Sequence, residues 1–406
     1  MRTRAFICSV LLTACEASPA GRGPLAADAG EPQHEQFDAQ SVVSPSERDT
    51  SPPEESSPDS DARVAMADAA RVEMGEPTRS DASDVPDGSS AGDARAPGPG
   101  ETVFVSVGSS DNTPWLYTSC DGRSWTRRLL ELPADQPMRG LRGVAYGAGT
   151  FVITGGGSLD GRNVRLIGRS EDAVNWQWEQ RPLACSDCQW VGGAAFLDDG
   201  AQGIWIAGGG TGTRLYSRDG GRSWHTSSAQ GLSAYRRFRS AGARAVGAGE
   251  GVLTLVELAA AGASEPVVWR DSAQPIAHES VFIAAGNGTF VVVWHEDGCL
   301  FLGADDRWQP CRLPSERDPV ITSVVFADGK FTILGRGAPL ESRDGREWTL
   351  TTGPRGSDFR DIVHGAGVYA TPRQHSDDAA NWQNANPSAE NGTALAVGTL
   401  ASGCPR

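Results

Sequence analysis

A short motif recurs through the last three quarters of the chain and constrains its fold more than any other feature. Four segments read Ser-x-Asp-x-x-x-Trp, and a fifth, at 217–224, carries one more residue before its Trp. Self-similarity at a regular spacing is the signature of a repeat architecture. The motif residues are Ser119, Asp121, Trp125, Ser170, Asp172, Trp176, Ser217, Asp219, Gly221, Trp224, Ser342, Asp344, Trp348, Ser376, Asp378 and Trp382.

Two degenerate copies, Trp269-Arg-Asp271 and Asp305-Asp-Arg-Trp308, extend the series to seven units of about 44 residues. A hairpin pattern precedes six of the motifs, most clearly at Gly143–Thr154. Asp, Ser and Gly in the motif favour a turn between two further strands. The sequence therefore predicts an all-β fold, a seven-bladed β-propeller over residues 101–406, with six or eight blades as variants. A two-domain β-sandwich is the alternative, which the regular spacing disfavours.

The first unit has no first strand of its own. The run Thr393–Thr399 near the carboxyl end has the composition of a strand and can supply it. Pairing of the N- and C-terminal strands would then close the ring and remove its exposed sheet edges.

The segment 217–224 resembles the Asp-box, or BNR repeat, of sialidase-like, sortilin-like and photosystem-assembly-factor propellers. The resemblance covers most of residues 102–400, and it implies that the motif aspartates are structural, peripheral and not catalytic. Four copies are one residue shorter than the family pattern. Tighter turns, in which the family's hydrogen bonds need not form, are therefore expected at Asp121, Asp172, Asp344 and Asp378.

The first fifteen residues have the pattern of an export signal. Arg2 and Arg4 precede a short apolar run, and the run ends in Leu-Thr-Ala-Cys15, which resembles the lipobox of bacterial lipoproteins. The resemblance implies that residues 1–14 are a signal peptide and that Cys15 carries the lipid that anchors the protein to the membrane. Glu16, where an Asp would favour inner-membrane retention, favours the outer membrane of a bacterial cell envelope. An ordinary secretory leader is the alternative.

The segment 15–100 differs sharply from the rest. The chain of 406 residues has a formal net charge of −15. Residues 16–100 contribute much of it, with eighteen Asp or Glu against six Arg, and all 12 Trp lie after residue 100. Such a segment is predicted to be a disordered spacer, with an acidic binding segment for cations or basic partners as the alternative. No basic stripe supports a nucleic-acid partner, and no apolar run is long enough to span a membrane.

Six cysteines remain after Cys8 and Cys15, and an even number in an exported protein indicates disulfides. Their positions on the predicted strands favour three pairs: Cys120 with Cys404, Cys185 with Cys188, and Cys299 with Cys311. A redox or zinc site at the Cys-x-x-Cys pair is the alternative. Since no second Cys pair or His cluster accompanies it, no metal and no cofactor are predicted.

Arginine and aromatic residues collect in segments predicted to be loops at one face of the propeller. Together they would form a cationic mouth able to bind carboxylates or sulfates. Solvated loop arginines with salt bridges at the rim are the alternative. The candidate ligand-binding residues are Arg142, Trp190, Tyr235, Arg236, Arg237, Arg239, Glu296 and Arg360.

These features predict a surface-anchored lipoprotein whose propeller binds a glycan or a protein of the envelope, with no catalytic residue assigned. A sialidase-like glycoside hydrolase is one alternative, using Tyr235 with Glu250 or Glu257, or a carboxylate pair that includes Glu296 or Asp297. The Arg-Ile-Pro signature of sialidases is absent from the sequence. A scaffold or assembly factor for an envelope complex is the second alternative.

Overall fold

The computed structural model describes residues 100–405 apart from short gaps. The gaps are 111–112, 133–137, 160–161, 180–189, 201–202, 230, 232–233, 250, 275, 277–279, 296–297, 318–319, 353–360, 389 and 391. Several predictions lie outside the described residues: the signal peptide 1–14, lipidation of Cys15, the spacer nature of 15–100, the Cys185–Cys188 pair, and ligand binding by Glu296 and Arg360.

The described part of the chain consists of strands, with one short 3-10 turn at Gly210–Gly212. No helix described here is long and apolar enough to cross a membrane. In chain order the strands are β1 (Glu101–Ser110), β2 (Thr113–Ser119), β3 (Thr126–Arg128), β4 (Met138–Gly147), β5 (Thr150–Leu159), β6 (Arg162–Ser170), β7 (Gln177–Glu179), β8 (Val191–Leu197), β9 (Ile204–Gly209), β10 (Arg214–Ser217), β11 (His225–Thr226), β12 (Tyr235–Ala241), β13 (Arg244–Gly249), β14 (Val252–Leu258), β15 (Val267–Ala273), β16 (Val281–Gly286), β17 (Thr289–Trp294), β18 (Gly298–Leu302), β19 (Trp308–Pro310), β20 (Ile321–Ala327), β21 (Lys330–Gly335), β22 (Leu340–Ser342), β23 (Thr349–Leu350), β24 (Val363–Gly365), β25 (Val368–Ala370), β26 (Gln374–Ser376), β27 (Gln383–Asn384) and β28 (Ala394–Leu400).

These strands form seven antiparallel sheets of four strands each, and each sheet is one blade. Blade one has the order β28-β1-β2-β3, and blades two to seven take the remaining strands four at a time in chain order. The first strand of every blade contacts the first strands of both neighbouring blades, so these seven inner strands (β28, β4, β8, β12, β16, β20 and β24) form a closed ring around a central channel. The predicted all-β, seven-bladed propeller is confirmed.

Ring closure follows the predicted route. β28 pairs with β1 in an antiparallel register that runs from Glu101 opposite Leu400 to Val107 opposite Ala394. A disulfide between Cys120 and Cys404 ties the carboxyl end to the same blade, as predicted, and the predicted Cys299–Cys311 disulfide links β18 to the residue after β19. The chain ends are therefore held in one sheet by backbone hydrogen bonds and by a covalent bond.

The core lies between the blades. Seven clusters of buried apolar side chains are found among the described residues, one at each interface between neighbouring blades. Phe104 and Trp125 of blade one, for example, pack with Val368 of blade seven. Strands near the channel are covered on both faces, which is why strands such as β17 (Thr289–Trp294), the second strand of blade five, are almost continuously apolar. Each blade thus supplies one face to each of two clusters.

The five Ser-x-Asp motifs form equivalent turns between the third and fourth strands of their blades. In each turn the Ser hydroxyl donates to Oδ1 of the Asp, and the same oxygen accepts two backbone N–H groups further along the turn. At Asp121 the donors are Arg123 and Ser124, both at 2.8 Å. The four shorter copies make these hydrogen bonds as well, so the missing residue does not break the turn.

One degenerate copy of the motif is placed differently from the prediction. Asp271 lies within β15, opposite Thr254 of β14, and the connection between these two strands is formed by residues 259–266 instead. Asp305, the other degenerate copy, lies in the predicted turn and accepts the N–H of Arg307 at 3.3 Å. Blade four therefore keeps its four strands without an Asp turn.

Acid should destabilise the propeller through these turns. Burial alone would raise the pKa of Asp219, but hydrogen bonds from the side chain and backbone of Ser223, from Ser217 and from the backbone of Arg222 lower it from 3.8 to about 2. Because the pKa is lower in the folded state, ionised Asp219 stabilises the fold above about pH 4, and this stabilisation is lost as the pH falls towards 2. The pKa values of the other four motif aspartates are lowered too.

We expect the free energy of unfolding, measured with urea from pH 5 to pH 2, to fall less steeply in Asp219→Asn than in the unmodified protein. Glu316→Gln, which removes an exposed carboxylate, is the control and should leave the slope unchanged. Equal slopes in all three proteins would contradict the prediction.

Candidate ligand-binding site

A cavity of about 410 Å³ opens at one end of the central channel, and we call it the mouth pocket. Its lining comes from the N-terminal halves of inner strands in five blades, or from the residues just before them. These ends converge because all inner strands enter the ring in the same direction. The lining residues are Arg142, Trp190, Gly192, Arg236, Arg237, Ser280, Phe282 and Thr393.

β-Bulges place three of the lining residues in the pocket. In β4, Leu141 pairs with Gly155 and Gly143 pairs with Thr154, the residue before it in β5. Arg142 is therefore an extra residue with no partner in the ladder. The same shift makes Gly192 the extra residue of β8 and Arg236 that of β12. A bulge bends its strand and redirects its side chain. Equivalent bulges in three consecutive blades therefore turn equivalent positions towards the pocket.

A glycine on the second strand permits each of these bulges. Gly155, Gly209 and Gly249 each pair with the residue that precedes the extra one. A Cβ on any of these glycines would overlap the backbone carbonyl oxygen of the residue just before its pairing partner. β20 has the same arrangement, with Thr322 as the extra residue and Gly335 opposite. The bulge is thus a recurring element of four blades, specified by a glycine outside the pocket.

Trp190 lies between the two bulge arginines in sequence and contacts both of them in space. The guanidinium carbon of Arg142 is 4.5 Å from the centre of its ring, and that of Arg236 is 4.8 Å away. Gly192 makes room for the indole, because a Cβ there would stand 2.7 Å from Trp190 Cζ3. Guanidinium groups are attracted to the negative face of an aromatic ring. Blades two, three and four therefore contribute one side chain each to an Arg–Trp–Arg stack.

A second pair of arginines on β12 crosses the channel. Arg237 Nη1 lies 3.0 Å from Oδ2 of Asp361, and Arg239 Nη2 lies 3.2 Å from Oδ1. Asp361, just before β24, also accepts the backbone N–H of Leu395 in β28 at 3.0 Å. Blade four lies opposite blades seven and one in the ring, so this buried carboxylate links strands on both sides of the channel.

Arg237 belongs to the lining of the mouth pocket as well as to this ion pair. Its guanidinium carbon lies 4.7 Å from the ring centre of Phe282, and its Nη2 donates to the carbonyl of Thr393 at 3.4 Å. Burial lowers the pKa of Arg237, Asp361 raises it, and the neighbouring charge of Arg239 lowers it again, with a net decrease. The side chain is thus held in place by Asp361 and the carbonyl of Thr393 across the channel and by the ring of Phe282 in the neighbouring blade.

Tyr235 lies outside the pocket lining. It is fully buried, and its hydroxyl accepts from Nε of Arg214 at 2.8 Å and contacts Oγ1 of Thr254 at 3.0 Å. Arg214 also pairs with Asp271 and lies over the ring of Trp269. This buried network joins blades three and four and fixes the start of β12, the strand that carries Arg236 and Arg237.

The structure brings four of the predicted ligand-binding residues together in one pocket: Arg142, Trp190, Arg236 and Arg237. Arg139–Arg142 and Tyr235–Arg239, predicted as loops, lie in β4 and β12. Arg239 lies two residues further along the channel and lines a smaller cavity of about 220 Å³. Ligand binding by these residues stays a prediction.

Sequence reasoning missed Asp361, Phe282 and Gly192. Nothing in the sequence connects Asp361 to Arg237, which is 124 residues away. A signal for the bulges does exist: a glycine closes the second strand in blades three, four and six, at Gly209, Gly249 and Gly335. Its position opposite the bulge, however, becomes visible only when strand pairing is known.

No carboxylate is among the described lining residues of the mouth pocket, and no cluster of three or more His, Cys, Asp and Glu suited to a metal ion is found in the described part of the chain. The pocket is therefore cationic and aromatic where it is described. Such a surface can hold an anion with paired N–H donors and can pack apolar atoms against Phe282 and Trp190.

Comparisons with known proteins show the fold class only. No family model and no curated protein matches the sequence. Solved structures with similar folds include YCF48 bound to a D1 peptide. It is 14% identical in sequence, the match covers 68% of this chain and 91% of that chain, and the TM-score is 0.43. Selenomethionine-substituted virginiamycin B lyase from Staphylococcus aureus matches at 8% identity, 60% of this chain, 83% of that chain and a TM-score of 0.44. The GH74 enzyme of Niastella koreensis matches at 14% identity, 76% of this chain, 44% of that chain and a TM-score of 0.41.

By its strand topology and its pocket, the described region is a seven-bladed β-propeller with a cationic, aromatic channel mouth.

Removing the carboxylate of Asp361 should destabilise the protein strongly. Asp361→Asn keeps the shape of the side chain but leaves Arg237 and Arg239 facing each other without their shared counter-charge, and only 5% of the Asp361 side chain is exposed. Removing one partner of a buried ion pair lowers the free energy of unfolding by about 3 kcal/mol or more. Urea unfolding at pH 7 measures this cost.

Glu347→Gln is the matched control, because its ion pair with Arg312 is exposed on both sides. Exposed pairs contribute about 0–1 kcal/mol. A loss in Asp361→Asn as small as in the control would show that the channel pair does not hold the inner strands together.

Proposed function

We propose that this protein is a lipid-anchored lipoprotein of the bacterial envelope whose propeller binds an acidic glycan at the mouth pocket without chemical turnover. The observation that carries the proposal is the convergence of Arg142, Arg236 and Arg237 with Trp190 and Phe282 around one concave cavity of about 410 Å³. Volumes of about 300–1,000 Å³ are typical of small-ligand sites.

Two properties of the pocket favour an acidic sugar. Guanidinium groups bind carboxylates, sulfates and phosphates through paired N–H donors. Phe282, whose ring is partly covered by Arg237, adds apolar atoms to the lining, and Ser280 and Thr393 add hydroxyl groups. A sugar ring presents apolar C–H faces and hydroxyl edges together, so both kinds of surface can be used at once. A protein segment with an acidic side chain would use the arginines but has less need of a concave cavity.

Binding is favoured over hydrolysis by the placement of carboxylates. Glycoside hydrolysis ordinarily needs two carboxyl groups on either side of the scissile bond. The described lining residues include none, and Asp361 is occupied by Arg237, Arg239 and the N–H of Leu395. The five motif aspartates lie in turns between the third and fourth strands, on the side of each blade away from the channel.

The anchor is supported by the sequence alone. Leu-Thr-Ala-Cys15 follows a short apolar run, and lipid attached to Cys15 would hold the chain at a membrane. Residues 16–100 would then separate the propeller from the membrane surface. This arrangement presents the mouth pocket to ligands at some distance from the bilayer, with the outer membrane as the proposed location.

The binding proposal is tested with the detergent-solubilised full chain on an array of acidic and neutral glycans, followed by calorimetry on those that bind. Acidic glycans should bind, and their neutral analogues should not. Arg236→Gln should weaken binding about tenfold or more, because it removes charged hydrogen bonds worth about 1.5–3 kcal/mol. Arg270→Gln, which removes an exposed arginine from the outer strand β15, is the matched control and should bind normally.

Two outcomes would contradict the proposal. Binding that survives the double variant Arg142→Gln/Arg236→Gln, or an array on which no acidic glycan binds, would remove the pocket's assigned role. Release of sugar from a bound glycan would assign the protein to the glycoside hydrolases, and stoichiometric capture of one envelope protein in place of glycans would assign it to scaffold factors.

The anchor is tested in a bacterial host supplied with labelled palmitate. The unmodified protein should carry label and sediment with membranes, whereas Cys15→Ala should do neither. Cys8→Ala lies inside the apolar run of the leader and is the control, which should still be labelled. An unmodified protein that carries no label would show that the leader is an ordinary secretory signal, and label that persists in Cys15→Ala would place the lipid on another residue.

A further inference from the structure

A second cavity, of about 220 Å³, lies in the central channel, and we call it the channel cavity. In blades one to four its lining residues come later in the chain than those that line the mouth pocket. Because the inner strands all run in the same direction, the channel cavity lies further along the channel than the mouth pocket. The described lining residues are 144–146, 194–196, 238–240, Val363 and 395–397.

The ion pair that crosses the channel lies between the two cavities. Arg237 lines the mouth pocket, Arg239 lines the channel cavity, and Asp361 pairs with both arginines. Asp361 itself is not among the described lining residues of either cavity. The two cavities therefore present different arginines to their contents.

Arg239 is the only charged residue in the described lining of the channel cavity, and 27% of its side chain is exposed. Its Nη2 contacts both oxygens of Asp361, and its Nη1 donates to the carbonyl of Phe238 at 3.2 Å. A guanidinium has five N–H donors. In the described part of the chain Nε of Arg239 has no hydrogen-bond partner, so this guanidinium keeps a donor for a ligand.

The carboxylate of Asp361 is shared among several groups. Its Oδ2 lies 3.0 Å from Nη1 of Arg237 and accepts the N–H of Leu395 at 3.0 Å, whereas its contacts with Nη2 of Arg239 are 3.2 and 3.3 Å. Because this negative charge is divided, Arg239 keeps part of its attraction for a further anion. Only 5% of the Asp361 side chain is exposed, so an anion in the cavity would meet Arg239 first.

The free edge of β28 adds a backbone donor to the channel cavity. The N–H of Leu395 donates to Asp361, and the carbonyl of Thr399 accepts from the hydroxyl of Tyr146, so both groups point away from β1. Residues two apart in a strand direct their backbone groups to the same edge. Val397, a lining residue midway between them, therefore directs its N–H to that edge as well.

The rest of the wall is apolar. Apart from Arg239 and Ser240, every described lining residue is apolar or aromatic. Tyr146, Phe196 and Val397 are partly exposed, so they offer surface to a ligand. An apolar cavity of about 150 Å³ accepts benzene. At about 220 Å³ the channel cavity has room for a body of that size together with a carboxylate.

We infer that the channel cavity binds a small monocarboxylate with an apolar body, of about the size of benzoate, through Arg239. The carboxylate pairs with the guanidinium, whose charge selects an anion, and the apolar body packs among the side chains of the wall. This site is separate from the mouth pocket, and it does not depend on the function proposed there.

The test is calorimetry on the detergent-solubilised full chain at pH 7 and constant ionic strength, with benzoate, benzyl alcohol and acetate as probes. Benzoate should bind once per chain with a Kd of about 1 mM or tighter. Benzyl alcohol lacks the charge and acetate lacks the apolar body, so each should bind about tenfold more weakly or less. Absence of benzoate binding, or equal affinities for all three probes, would overturn the inference.

Variants of the guanidinium locate the site. Arg239→Gln leaves the ion pair of Arg237 and Asp361 in place and should weaken benzoate binding about tenfold or more. Arg244→Gln is the matched control, because Arg244 is 31% exposed, pairs with two carboxylates and lies outside the described lining. It should leave the affinity unchanged. Benzoate binding that is lost in Arg236→Gln and kept in Arg239→Gln would place the anion at the mouth pocket and overturn the inference.

A second variant keeps every charge and fills space instead. Ala145→Leu enlarges a partly buried lining residue and should weaken benzoate binding about tenfold or more, while Ala285→Leu, partly buried in β16 outside the described lining, should not. Thermal unfolding shows whether each variant is folded, and Ala145→Leu decides the matter if Arg239→Gln does not fold. Normal benzoate affinity in folded Ala145→Leu would overturn the inference and would leave the glycan proposal untouched.

Discussion

Pairing of the last strand with the first is the constraint on which the rest of this structure depends. Each blade buries its two faces against its neighbours, so a blade without a neighbour on one side would expose a whole apolar cluster. β28 fills the inner position of blade one, and the Cys120–Cys404 disulfide lies in the same blade. An open arc of seven sheets would leave two apolar faces in water. Closure is also what creates the channel, since seven inner strands enclose a space only when the ring is complete.

The mouth pocket follows from how the inner strands begin. Each inner strand pairs with a second strand on one edge, and its other edge, which has no strand partner, lines the channel. A bulge in an inner strand therefore disturbs only its pairing with the second strand. Because the blades are equivalent, equivalent bulges present their extra residues at equivalent heights. Arg142, Gly192 and Arg236 occupy this position in three consecutive blades, which explains how residues about fifty positions apart in sequence come to surround one indole. A glycine in the middle blade is needed, since a Cβ there would overlap the carbonyl oxygen of Tyr235 and the indole of Trp190.

The sequence predicts the architecture better than it predicts the site. Regular spacing of motifs, turn chemistry and apolar runs are local properties, so they specify seven four-stranded units, the closing strand and two disulfides. The same local reasoning places Asp271 in a turn because an Asp and a Trp are close in sequence, whereas blade four forms that connection with a longer loop and uses Asp271 to pair with Arg214. Tyr235 and Arg236 are neighbours in a short aromatic and basic segment, yet one is buried between blades and the other lines the pocket. Strand alternation separates them, and a bulge shifts that alternation by one residue, which composition cannot reveal.

An acidic chain can still have an anion site, and the reason lies in the range of electrostatic forces. The protein carries a formal net charge of −15, which repels an anionic ligand at long distance. At physiological ionic strength that repulsion is screened beyond about 8 Å. The described charged residues that line the mouth pocket are Arg142, Arg236 and Arg237, and Asp361 pairs with Arg237 and Arg239. If the pocket binds an anion as proposed, the sign of that ligand is set by the groups that touch it and not by the net charge of the chain. Under the same proposal, the net charge of the whole chain would affect how fast an anion arrives, while the bulges that hold the arginines against Trp190 would affect how long it stays.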